Sequence, residues 1–409
     1  MTIISAKPDF LSAAFKANPY PFYSELREHA PVVEGPKIRG RQAWLVTRYD
    51  DVAYVLKDGV FAKDTRNAWT PEQLKKAPWL PPPFRSLQNN LLSLDPPDHT
   101  RLRALVHQAF TPRMVGLMRE QTHTLAHELV DKMQATMKAK GGTVDLIESF
   151  ALPLTITIIG RILGVPEGDN ARFRRWTNAM VSLGSGRGAL FKVPAVLQFV
   201  RYLRRLVRRR AAAPQDDLVS ALVLAREKDD ALTEDEVVAM TFLLLSAGHE
   251  TTVNLIASGT LALLEHPKQW RRLQEEPSLM KSGVEELLRF VTPAETSTER
   301  FAREDVEVAG TVIPQGALVL GVIASANRDP RRFEHPEALD VARQDNKHLS
   351  FGQGLHYCVG APLSRLEGMI AFTALTERLP DLRLGRPPER LRWRSSLVLR
   401  GLEALPVTW

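Results

Sequence analysis

The chain has 409 residues, 44% of them apolar and 25% charged, which is long enough to bury a large core and too balanced for a disordered or fibrous class. A formal net charge of +7, from 54 basic against 47 acidic side chains, is too dilute to mark a nucleic-acid binder and suits an acidic protein partner or an anionic ligand. The single cysteine cannot form an internal disulfide, and the N-terminus lacks the basic segment and apolar core of a signal peptide, so a cytoplasmic chain is expected.

In chain order, apolar residues recur at helical spacing over 21–29, 49–57, 98–110, 113–138, 146–163, 171–182, 196–211, 217–226, 233–264, 267–275, 280–291 and 363–379. Strand-like segments, rich in β-branched residues and bounded by Pro and Gly, are confined to 31–47, 298–324 and 382–409. There is no internal repeat, and the proline-dense run 71–84 reads as an irregular loop of functional length. The expectation is a mainly α fold: one large α-rich domain over 1–409 with small β-sheets. The longest apolar run, 239–264, could span a membrane by length, but His249 and Glu250 near its middle make a buried helix the better reading. Over 199–210, Arg201, Arg204, Arg205 and Arg208 occupy one helical face and Leu203, Leu206 and Val207 another, as on a solvated amphipathic helix.

Four patterns carry chemistry. In Phe351-Gly352-Gln353-Gly354-Leu355-His356-Tyr357-Cys358-Val359-Gly360, glycines surround the only cysteine and a helix follows. Glycines let backbone hold a sulfur close to a flat cofactor, and a cysteine just ahead of a helix meets free amide donors that favour a thiolate able to ligate iron. Considered alone, a lone cysteine is more often a small buried hydrophobe than a ligand, so this pattern needs support. In Ala247-Gly248-His249-Glu250-Thr251-Thr252, mid-helix, the Thr251 hydroxyl can bond the Ala247 carbonyl while Gly248 leaves room for a local opening; a polar stripe satisfied by neighbouring helices is the plainer alternative. Glu286 and Arg289, three apart, can pair on one helix face. His99 and Arg103, four apart, point the same way.

The pattern Phe351, Gly354, His356, Cys358, Gly360 resembles the cysteine loop of the cytochrome P450 family. The resemblance implies that Cys358 is the axial thiolate ligand of the iron of haem b, a ligation that favours O–O cleavage. It further implies that the segment with Glu250 and Thr251 is the oxygen-binding helix supplying protons, and that Glu286 and Arg289 form a structural pair beneath the cysteine loop. His99, Arg103, Arg300 and His356 would hold the haem propionates. Val359 and Ser364, where the family often has Leu and Ala, are the atypical positions. The likeness runs from about Pro19 to the C-terminal Leu405-Pro406-Val407 and leaves no flavin or iron–sulfur domain, so separate electron carriers are implied, a ferredoxin and its reductase, with Arg343, Lys347 and Arg365 suited to an acidic donor. The implied function is that of a monomeric monooxygenase using O2 to hydroxylate or epoxidise an apolar small molecule. A peroxygenase, a non-oxygenating haem-thiolate enzyme and a haem sensor are the rivals, and the Glu250-Thr251 pair argues against the first two. By family position the pocket is lined by 61–91, 173–199, Leu244, Ala247, 291–296 and 396–398, which a terpenoid, macrolide, steroid or fatty acid could each fill.

Overall fold

The computed structural model of the protein describes residues 8–38, 40–76, 87–169, 172–173, 175–176, 189–227 and 230–409. In chain order these form α1 (Ala13–Ala17), α2 (Tyr20–His29), β1 (Val32–Ile38), β2 (Arg41–Val46), α3 (Tyr49–Lys57), β3 (Phe61–Ala62), α4 (Pro71–Lys75), α5 (Asp98–Ala109), α6 (Pro112–Lys140), β4 (Val144–Asp145), α7 (Leu152–Ile162), α8 (Ala189–Ala212) and α9 (Leu218–Leu224). There follow the hairpin β5 (Arg226–Glu227) and β6 (Asp230–Ala231), then α10 (Glu234–Glu265), α11 (Pro267–Glu275), α12 (Met280–Val291), β7 (Arg300–Ala302), β8 (Val306–Val308), β9 (Thr311–Ile313), β10 (Leu318–Gly321), α13 (Ile323–Ala326), α14 (Ala361–Arg378), β11 (Arg383–Leu384) and β12 (Pro406–Thr408).

The axis of the molecule is α10, which packs against α7, α8, α12 and α14. It starts in a capping box, Thr233 receiving the Glu236 amide and Glu236 reaching back to the Thr233 amide, and its first turn holds three acids that match the positive end of the helix. A helix apolar on most sides must be buried on most sides, and from Val253 to Leu263 every residue is. Among the described residues no helix is long and apolar enough to cross a membrane.

Five strands form a sheet in the order β1-β2-β10-β7-β3, with β10 parallel to β2 and antiparallel to β7. Phe61 pairs with Ala302 and Ala62 with Phe301, which brings the residue after β3, Lys63, alongside Arg300. A smaller sheet, β11-β12-β4, ties the C-terminus to the turn before α7.

Most expected helices appear within a few residues of their bounds, and the departures have causes. The helix expected over 146–163 begins as a wider π-turn, Ile147–Ala151, ahead of Pro153, whose missing amide cannot continue an α ladder. The helix expected from 196 starts at Ala189 and carries Pro194 inside it. The expected loop 71–84 opens instead with α4, capped reciprocally by Thr70 and Gln73, while 77–86 lie outside the described residues. Of the helix expected at 171–182, residues 172–173 and 175–176 are helical and the others lie outside the described residues. The strand-like stretch 298–324 ends in α13, not in a strand.

Candidate active site

Cys358 sits at the end of a loop whose shape its glycines impose. Gly352 and Gly354 have φ of 70° and 73°, and a Cβ on Gly354 would lie 3.0 Å from the Lys57 Cα, so backbone passes there at a distance only glycine allows. The Cys358 amide donates to Phe351 O at 2.9 Å, closing the loop just before α14. The side chain keeps accessible surface although it lies deep in the protein, which places the sulfur on an internal space. Burial pushes its thiol pKa up, while the amides of Gly360 and Ala361 donating to the sulfur, together with Arg103 and Arg365, work in the opposite direction.

Around this loop gather basic side chains with little anionic company. His99 on α5 is 1% exposed with neither ring nitrogen bonded, and its ring lies 4.3 Å from that of His356. Arg300 on β7 is 5% exposed and its Nε has no partner. Arg103 donates from Nη1 to Tyr357 O at 2.8 Å and from Nε to His107 Nε2 at 2.8 Å. Lys63, which sequence reasoning missed, is also buried and donates to Thr298 Oγ1 at 2.5 Å and Glu299 O at 2.6 Å. Burial, then the charge of Arg300, brings the Lys63 pKa down to about 7; burial, then His99, Arg300 and Lys63, brings that of His356 to about 2. Burial lowers Arg300 to about 10. Asp95, the acidic side chain of this cluster, is engaged by the Lys63 and Asp64 amides and by Asn67 Nδ2. Buried basic groups with open hydrogen-bonding capacity call for an acceptor, and beside Arg300 for an anionic one.

On α10, Thr251 Oγ1 donates to Ala247 O at 3.0 Å, as expected, and the α-helix runs unbroken through Gly248, so the expected opening is not a break in the helix. Leu244, Ala247, Gly248 and Thr251, at helical spacing, keep accessible surface on a helix otherwise largely buried, so one face of α10 looks onto a space. Glu250 is turned away from that face: its Oε1 accepts from Arg394 Nη1 at 3.1 Å, and burial raises its pKa against the lowering influence of Arg394. No local signal marks Arg394, which lies far along the chain. Thr252 donates to Ser364 Oγ at 3.2 Å, joining one of the atypical positions to α10.

Glu286 and Arg289 are fully buried and paired through two bonds of 2.8 Å. Arg289 also donates to the carbonyls of Asn327, Pro336 and Ala338, and Glu286 accepts from the Asp340 amide, Arg343 and Asn346. From there Asn327 bonds the Leu349 amide and Ser350 Oγ, the residues that open the cysteine loop. The pocket wall 291–296 is held in a similar way: Glu295 receives Lys16 Nζ at 2.5 Å and Tyr23 Oη at 2.6 Å, and its amide donates to Val398 O. Of the other expected pocket residues, 77–86, 174 and 177–188 lie outside the described residues.

Known proteins resemble this chain in sequence and fold. The sequence profile of the family described as Cytochrome P450 matches residues 195–380. PikC, a cytochrome P450 monooxygenase of Streptomyces venezuelae, is 45% identical over 400 residues, covering 98% of this chain and 93% of its own. The chain belongs to the cytochrome P450 family. The mycinamicin IV hydroxylase/epoxidase of Micromonospora griseorubida is 42% identical over 388 residues, 95% of this chain and 94% of its own. The solved structure of PksS, from the bacillaene polyketide synthase of Bacillus subtilis, superposes with a TM-score of 0.89 at 41% identity over 97% of this chain and 98% of that one. This P450 is therefore a haem-thiolate monooxygenase that uses O2, redox partners and a small-molecule substrate.

The residues present fit such a cofactor: a sulfur with amides donating to it, and basic side chains with unpartnered nitrogens, His99 and Arg300, the first of them against His356 of the cysteine loop. Of the basic residues near the cysteine loop of this P450, Arg343 is bonded to Glu286 and Arg365 makes a two-point contact with Glu285, which leaves Lys347 as the exposed charge.

Proposed function

We propose that Cys358 is the thiolate ligand of haem b and that His99, Arg103, Arg300 and His356 hold its two propionates, in one haem-thiolate domain spanning 1–409. The observation that carries this reading is the meeting of the lone cysteine with a cluster of buried basic side chains, two of which, His99 and Arg300, keep nitrogens without partners. When bound, the haem supplies the activation of O2 that ends in insertion of one oxygen atom into substrate. The chain supplies the rest. The Gly360 and Ala361 amides hold Cys358 toward its thiolate, and the network from Glu286 and Arg289 through Asn327 fixes the loop that carries it.

Thr251 presents its hydroxyl on the open face of α10 and, bonded to Ala247 O, holds a proton at Oγ1 within the pocket. Glu250, whose pKa is raised by burial, retains a proton nearer neutrality than an exposed carboxyl and passes it toward Thr251 through ordered water, with Arg394 as the residue that positions it. The substrate is an apolar molecule of polyketide type, a macrolactone foremost, hydroxylated or epoxidised; the mycinamicin hydroxylase and the polyketide-associated PksS support that class. Electrons come from a separate ferredoxin and ferredoxin reductase, and the protein works as a cytoplasmic monomer.

Titration of the purified holoprotein with macrolactones tests this. A substrate should shift the Soret band by displacing water from the haem, and NADPH consumption should then require both that substrate and the redox proteins. Substrate turnover driven by peroxide alone, or haem binding with no dependence of NADPH consumption on any such compound, would replace the reading by a peroxygenase or a sensor.

A further inference from the structure

Glu250 is buried, so each proton it gives must be replaced from solvent by some route. Asn254 and Ser258 follow it at four-residue intervals on the same face of α10, successive residues roughly 6 Å apart along the axis, and they are 2% and 3% exposed. The Asn254 Nδ2 and Ser258 Oγ have no protein partner. Ser258 is an exception on its helix: Thr241, Thr251 and Thr260 all turn their hydroxyls back onto the carbonyl four residues earlier. Buried donors are nearly always bonded, to protein or to ordered water, and no protein group bonds these two.

The C-terminal segment roofs the same face. Trp393 bridges Leu402, and the Arg394 amide donates to Gly401 O at 2.9 Å, so the segment folds back on itself over the helix. Arg394 lies on Glu250, and the Gly401 backbone lies on Asn254 so closely that a Cβ there would sit 2.0 Å from Asn254 Oδ1. Trp393 and Arg400 stand beside Ser258 in a cleft of about 340 Å³ whose floor includes Leu261 and whose rim includes the exposed Pro388 and Glu389.

We propose that Ser258 and Asn254 form a water-bearing polar track from this cleft to Glu250, the route by which that carboxyl is reprotonated. It rests on the reading of Glu250 as a proton donor. Solvent gives one proton at the cleft; the Ser258 hydroxyl accepts it at Oγ as it releases its own to the next water. Asn254 transfers nothing and orients that water by donating from Nδ2. Glu250 ends protonated and the track ends as it began. The competing entry is directly past Arg394, which is 35% exposed.

The test compares Ser258→Val, which removes the hydroxyl and fills its space, with Ser258→Thr, which keeps it, in the holoenzyme with substrate and redox proteins. Ser258→Val should slow NADPH consumption about tenfold, part of the 10²–10⁴ that a positioned general acid supplies, and raise the solvent deuterium isotope effect. Haem content and the substrate-induced Soret shift should be unchanged, and Ser258→Thr should behave as wild type. A high-resolution crystal structure should contain ordered water between Ser258 Oγ and Asn254 Nδ2. If Ser258→Val fails to retain haem, Asn254→Leu is read in its place. A wild-type rate and isotope effect in Ser258→Val, alongside a slow Glu250→Gln, would reject the track and assign proton entry to the Arg394 side. A Glu250→Gln variant that consumes NADPH normally would overturn the donor reading itself, and the track with it.

Discussion

The cysteine loop and the Glu250–Thr251 stretch of α10, which the proposed reading assigns to one cofactor site, are built on different plans. The loop is irregular backbone, and it is rigid because a buried network determines it from behind: Glu286 and Arg289 bond each other, Arg289 bonds the Asn327 carbonyl, and Asn327 bonds Leu349 and Ser350. The stretch of α10 is regular helix that needs no such support, since Thr251 satisfies itself on Ala247 and the backbone satisfies the rest. An irregular site thus needs many partners to hold one atom still, whereas a helical site gets its position for nothing and depends on distant residues for its chemistry. Glu250 takes its partner from Arg394, far away in sequence.

If the loop is held by its network, breaking the network should do more damage than any change on α10. Arg289→Met leaves the Glu286 carboxylate buried with one strong partner fewer, which costs about 3–5 kcal/mol. The expected outcome is a large loss of thermal stability and of haem retention together, read by calorimetry and by the haem-to-protein ratio. A variant that melts normally but loses haem would mean that the pair serves the cofactor directly.

On α10 the expected effects are chemical. Thr251→Ala should bind haem and substrate normally and still consume NADPH, but release more hydrogen peroxide and form several-fold less product. Full coupling of NADPH to product in this variant would remove Thr251 from the proton path and pass the task to Thr252 or to water.

Arg394 offers a finer probe, because it lowers a Glu250 pKa that burial raises. A donor loses its proton as pH rises through its pKa, so turnover limited by Glu250 falls on the alkaline side. Arg394→Gln removes the lowering influence, moves the pKa further up, and should shift that alkaline limb to higher pH. A limb that stays in place, or moves to lower pH, would show that Arg394 does not act on Glu250. The smallest effect is expected from salt: with Arg343 and Arg365 engaged by Glu286 and Glu285, electron transfer from a ferredoxin should slow only modestly between ~0.05 and ~0.5 M. A steep dependence would place the docking charge elsewhere on the surface.

The same contrast explains what could be read from the sequence. The helices announce themselves by period, and the cysteine loop by its glycines, since both signals are local. The Glu286–Arg289 pair is legible for the same reason, being three residues apart on one helix. Lys63 was not, because it joins the cation cluster only when β3 pairs with β7, and Arg394, Asn254 and Ser258 acquire meaning only when the C-terminal segment folds over α10. Ser364 is merely atypical in the sequence, because the Thr252 hydroxyl that bonds it is 112 positions away. Helix α4 was hidden by prolines, one of which occupies the first turn, where a missing amide is harmless.

The central claim is that Cys358 is the iron ligand, and the carbon monoxide spectrum of the reduced holoprotein tests it most directly. Wild type should give the far red-shifted band of thiolate-ligated haem, and Cys358→His, if it retains haem, should lose that band and give one of globin type. A globin-type band from correctly folded wild-type protein would contradict the assignment.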